Sequence, residues 1–89
     1  MTASQVAEFL LESCKSLTDF ESYMFGSSLT GLGVDFDILI VGKSGDRLTL
    51  LKSELKIAGK ELPLDVLYML PAEAKETGFV NRVGCVALS

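Results

Sequence analysis

An α/β, or α+β, fold with a small mixed sheet of three to four strands is what this sequence predicts, and three observations predict it. Apolar runs of strand length occur at Phe20–Phe25, Phe36–Val41 and Leu62–Leu70. Between and before them lie two segments whose apolar residues recur at helical spacing, Ala3–Leu17 and Asp46–Ala58. Glycine and proline stand at the boundaries, notably Gly26, Gly42, Gly59, Pro71 and Gly78. The helices are expected mainly on one face of the sheet, with one edge left open. Residues 1–89 read as a single domain, which at this size buries only about 60 to 65% of its unfolded surface, so a further partner surface is expected.

Each element has a local reason. In Ala3–Leu17, Val6, Phe9, Leu10, Cys14 and Leu17 form one stripe while Gln5, Glu8, Glu12 and Lys15 lie off it; Thr2 or Ser4 is placed to cap the start. Such a stripe could dock a partner, but covering the sheet of its own domain is the ordinary role. The first strand, Phe20–Phe25, is aromatic-rich, and the second, Phe36–Val41, is bounded by Gly42. The loop Gly42–Gly45 leads to Asp46–Ala58, with Ser44 as candidate N-cap, Leu48, Leu51, Leu55 and Ala58 on one face, and Gly59 to end it. Lys52, Lys56 and Lys60 follow one flank as a solvated face or a nucleotide contact. Pro63 is tolerated near the start of the third strand. Pro71–Thr77 reads as a short helix closed by Gly78; Phe79–Ser89 is ambiguous, since Phe79, Val80 and Val83 can continue as a helical turn and Cys85–Leu88 can form a last short strand. Arg82 is read as a surface ion pair, with a phosphate contact as the alternative.

Chemistry concentrates in Met24–Val41 (MFGSSLTGLGVDFDILIV), a strand, a glycine-rich connection and a strand. Asp35 and Asp37 are two residues apart, so along a strand both carboxylates point the same way with α-carbons roughly 6.5 to 7 Å apart. Two anions on one face repel unless a cation neutralises them, and hard oxygen donors suit Mg²⁺ or Mn²⁺. Gly26 permits close approach of a phosphate to the backbone, and Ser27 or Ser28 supplies a hydroxyl and free N–H groups. The bland alternatives are a ligand-free glycine-rich hairpin, in which Gly31 and Gly33 also serve the turn, and a solvated pair of aspartates. On the third strand, Asp65 shares a face with Leu67 and Met69 inside an apolar run, where a buried, unpaired carboxylate would be costly. A ligand or general-base role is the better explanation, with exposure on an edge strand the alternative.

Phe25-Gly26-Ser27, the glycine-bearing connection, and Asp35-Phe36-Asp37 running into Ile38–Val41 resemble the signature of the DNA polymerase β-like nucleotidyltransferase superfamily, particularly its minimal members. The connection is shorter than the superfamily commonly has, and no arginine follows the serines. The resemblance implies a third carboxylate on a later strand, for which Asp65 stands. It implies a nucleoside triphosphate, with ATP the expected donor, held by Gly26, Ser27 and Ser28, and Mg²⁺ or Mn²⁺ held by Asp35, Asp37 and Asp65. Asp65 would also take the proton of an attacking hydroxyl. Larger members add a helical acceptor domain, so the resemblance implies a second helical subunit or a homo-oligomer here. One such arrangement is an antitoxin that transfers AMP to a HEPN-type toxin. The alternative is a binding module of the same fold with little turnover.

Composition bounds partners and compartment. Twelve acids against eight bases give a net charge of −4, and the three candidate aspartates leave nine acids against eight bases elsewhere. Without a basic cluster the chain is poorly suited to gripping long nucleic acid. Mean hydropathy is +0.39, yet no apolar run reaches the roughly 18 residues of a membrane span. Two glutamates in the first apolar segment argue against a signal peptide, and a cytoplasmic protein is expected. Cys14 and Cys85 lack paired spacing and there is no histidine, so both are expected to be buried thiols.

Overall fold

The computed structural model describes residues 2–26, 29 and 35–88. Helix α1 (Ala3–Ser13) opens with a reciprocal cap: the Thr2 hydroxyl accepts the Gln5 N–H at 3.2 Å, and Gln5 Oε1 accepts the Thr2 N–H at 2.8 Å. The helix stops short of the predicted Leu17 because Cys14 leaves helical geometry, with φ −116° and ψ 82°. Leu17 still reaches the core through a 3₁₀ turn, Lys15–Asp19. Glu54 Oε1 accepts the Ser16 N–H at 3.0 Å, tying that turn to a helix 38 positions away.

Strands β1 (Glu21–Phe25) and β2 (Phe36–Val41) are antiparallel; helix α2 (Asp46–Ala58) then crosses over to β3 (Leu64–Met69), parallel to β2. Helices α3 (Pro71–Thr77) and α4 (Phe79–Val83) lead to β4 (Val86–Ala87), antiparallel to β1. The four-stranded mixed sheet has the order β3-β2-β1-β4, with β3 an open edge. α2 follows the predicted limits, but its N-cap is Gly45 at φ 146°, a conformation side chains rarely adopt, and no side chain caps it; Ser44 does not.

Alternation along the strands divides the sheet into two faces. Met24, Ile38 and Ile40 join Val6 and Leu10 of α1 and Leu51 and Leu55 of α2 in the buried core. Tyr23, Phe25, Asp37, Leu39, Asp65 and Leu67 belong to the opposite face. There the Phe79 ring meets Phe25 edge-on, with centroids 5.3 Å apart and planes at 89°. Leu39 is fully buried whereas Leu67 is 39% exposed, so the β1–β2 half of this face is covered and the β3 half is open. Neither α3 nor α4 contains a fully buried residue. Among the described residues no helix is long and apolar enough to cross a membrane.

Gly42, just after β2, allows Phe20 to fold over the strand end: a β-carbon there would lie 2.1 Å from Phe20 Cδ1. Gly42→Ala should therefore displace the ring and cost about 1–3 kcal/mol. The check is the thermal midpoint, expected to fall by about 4–8 °C per kcal/mol in a domain of this size.

Cys14 is buried, whereas Cys85 is only half-buried, short of the expectation that both thiols lie inside. Burial, and secondarily the charge of Glu54, pushes the Cys14 thiol above its ordinary value of 9.0. The native state therefore holds this proton after the unfolded chain has released it. That contribution is full below the unfolded pKa and is lost as pH rises through the folded one. Urea midpoints should fall between pH 8.5 and pH 10.5, a range chosen to run about half a unit below and one and a half above the unfolded value, and Cys14→Ala should flatten that fall relative to its own neutral-pH stability.

Candidate active site at the aspartate end of the sheet

The central residue is Asp37, the second residue of β2. In the antiparallel ladder its Cα partner is Phe25, and in the parallel ladder it is Asp65. Phe25, Asp37 and Asp65 thus form one row across three strands on one face, with strand axes roughly 4.8 Å apart. The next row on that face, Tyr23, Leu39 and Leu67, is apolar. Asp35 lies immediately before β2 and is exposed, two residues from Asp37.

Gly26 follows Phe25 at φ +69°, in the left-handed region. A β-carbon on it would stand 2.7 Å from Asp37 Oδ2, so the backbone fits against the carboxylate only as glycine. Gly26 and the acidic row therefore share one contact surface. Ser27 and Ser28, the other predicted phosphate ligands, lie outside the described residues, as do Gly31 and Gly33.

Asp65 corrects part of the sequence reasoning. It is exposed on an edge strand, so no burial penalty demands a ligand. Its claim to the site rests instead on standing opposite Asp37, where two anions at strand spacing repel. Among the described residues no three His, Cys, Asp or Glu side chains converge tightly enough to hold one ion. The register brings Asp37 and Asp65 side by side, with Asp35 at the strand entry. The donor set is still the right one for a hard divalent cation, since it consists of carboxylate oxygens.

Lys56 and Lys60 are exposed as expected, whereas Lys52 and Arg82 are placed otherwise than predicted. Lys52 Nζ lies 4.8 Å from the centroid of the Tyr68 ring on the helix-covered face, a cation–π contact and not simply a solvated flank. Burial, and secondarily Cys14, raises the Tyr68 hydroxyl above its ordinary value of 10.0. Arg82 forms no ion pair among the described residues; its Nη1 donates to the Thr77 carbonyl at 3.2 Å, closing the end of α3. Arg47 approaches Asp19 at 3.9 Å, an exposed pair of little energetic weight.

A family model described as a nucleotidyltransferase domain matches residues 5–83, from α1 through α4 and across every candidate site residue. The chain belongs to the nucleotidyltransferase domain family. Its mixed sheet with flanking helices fits the polymerase β-like nucleotidyltransferase fold. No curated protein matches the chain. Membership supports nucleotidyl transfer as the general chemistry and a nucleoside triphosphate as substrate. The described residues of the motif that carries the resemblance, Phe25, Gly26 and Asp35 to Asp37, lie within the matched region, with Gly26 set against Asp37 and the candidate Asp65 alongside.

The side-by-side carboxylates make a prediction that needs no nucleotide. Without divalent cations, Asp65→Asn should leave the protein equally stable or more stable, by about 0.5 kcal/mol, because a like-charge cross-strand pair is removed. Chemical denaturation in chelator and again in Mg²⁺ tests it: the wild type should gain more from Mg²⁺ than the variant.

Proposed function

We propose that this domain transfers a nucleoside monophosphate, AMP from ATP, to a hydroxyl acceptor in a reaction that requires Mg²⁺ or Mn²⁺. The observation that supports this reading most directly is Asp37 in register with Asp65 while Gly26 lies against the Asp37 carboxylate. Asp35, Asp37 and Asp65 would hold the cation, which when bound neutralises their charge and polarises the phosphate. Gly26, with Ser27 and Ser28, binds the triphosphate through backbone N–H groups and hydroxyls.

The acceptor oxygen forms a bond to the α-phosphorus, the bridging bond between the α- and β-phosphates breaks, and pyrophosphate leaves with the electron pair. Asp65 takes the hydroxyl proton, a role suited to an exposed carboxylate on the open edge. Holding the two substrates in line supplies most of the rate enhancement. In this proposal the acceptor comes from a second helical subunit, such as a HEPN-type toxin for which the domain serves as antitoxin, or from a second copy of the chain.

A second reading is a binding module with weak turnover, and it draws on the carboxylates standing in a row without converging on one point. A thermal-shift series separates the two, using each nucleoside triphosphate with and without Mg²⁺ on the wild type and on Asp35→Asn and Asp37→Asn. At about 100 times the dissociation constant a bound triphosphate adds about 2.7 kcal/mol. That corresponds to a rise of about ten degrees or more in so small a domain. The transferase reading expects a Mg²⁺-dependent rise with ATP that both variants lose. Absence of any rise with every triphosphate would favour the binding module.

A further inference from the structure

We propose that Phe79 is a positioning residue for the contact between Gly26 and the Asp37 carboxylate, acting on it through Phe25. The proposal rests on the nucleotide-binding reading of Gly26 and Asp37. Phe25, the last residue of β1, meets the edge-on Phe79 ring at 5.3 Å.

Phe25 is well placed to transmit that contact. Its Cα partner is Asp37, and the next residue is Gly26, which leaves no room for a side chain against Asp37 Oδ2. Rotation or withdrawal of the end of β1 therefore changes the fit between Gly26 and the Asp37 carboxylate. Phe79 is itself set by backbone geometry, because it opens α4 immediately after Gly78 at φ +60°. Arg82 and Cys85 fasten the same short helix, one donating to the Thr77 carbonyl and the other, through its N–H, to the Val80 carbonyl. A helix with no fully buried residue of its own thus carries an aromatic contact to the strand end beside the site. Nothing in its local sequence requires a phenylalanine there for helix formation.

The test compares Phe79→Leu, Phe79→Tyr and Val80→Ala. Val80 is also half-buried on α4, but it borders the hollow formed with Val41 and Ala74, away from the aspartate row. Mg²⁺·ATP affinity is measured by equilibrium titration, and amide exchange at Phe25 and Asp37 is followed without nucleotide. An aromatic pair of this geometry is expected to count for a factor of about three to ten. Phe79→Leu should weaken Mg²⁺·ATP binding and speed exchange at both amides by such a factor. Phe79→Tyr should restore both, and Val80→Ala should leave both within about twofold while lowering the melting temperature comparably. Equal losses in Phe79→Leu and Val80→Ala would overturn the proposal, since they would report general destabilisation. So would unchanged affinity in Phe79→Leu with a wild type that binds. A wild type that binds none of the triphosphates would overturn the nucleotide reading and the proposal together.

Discussion

The parallel register of β2 and β3 is the constraint on which the candidate site depends, because it sets Asp37 beside Asp65 at the end of an otherwise apolar ladder. Two carboxylates at strand spacing oppose the pairing that places them there. The opposition is outweighed further along, where Ile38 meets Val66, Leu39 meets Leu67 and Ile40 meets Tyr68. A slip of β3 by one residue would turn Asp65 toward the core and Val66 and Tyr68 away from it, so hydrophobic burial under α1 and α2 selects the register that sets the two aspartates side by side. The apolar half of each strand thereby stabilises an acidic arrangement that is unfavourable on its own terms.

That division of labour extends to the two faces. The face under α1 and α2 carries nearly all the large buried side chains, together with the Thr2 cap and the bond from Ser16 to Glu54. The opposite face is covered over β1 and β2 and open over β3, where Asp65 and Leu67 are exposed. Asp65, at the end of the carboxylate row, is thus reached from solvent without displacing the main core. Gly26 and Gly42 mark two points at which backbone or ring comes too close for a β-carbon, one at the acidic row and one at the far end of β2.

Much of this was readable from pattern. Apolar runs of strand length located β1, β2 and β3, helical spacing ended by Gly59 located α2, and Pro71 with Gly78 located α3. The helix predicted through Leu17 ran too far because Leu17 is as buried as the helix stripe it extends, and burial alone does not distinguish an α-helix from a 3₁₀ turn. Ser44 lost the capping position to Gly45 because the approach to α2 needs a φ only glycine takes readily. Arg82 reaches a backbone carbonyl because α3 ends there in a left-handed glycine, leaving a nearby acceptor that no charge pattern reveals.

Local residue order settled the mixed fold class, the order of its elements and the nucleotidyltransferase signature, since periodicity, glycine placement and the Asp35–Asp37 spacing are properties of neighbours along the chain. Only the tertiary structure decided that Asp65 stands opposite Asp37, that it is exposed and not buried, and that Phe79 reaches Phe25. Those relations join residues far apart in sequence, and they follow from which strands pair, in which register, and how the last two helices return across the sheet. Hydrophobic burial over the whole domain selects them, so no single stretch of the chain contains them.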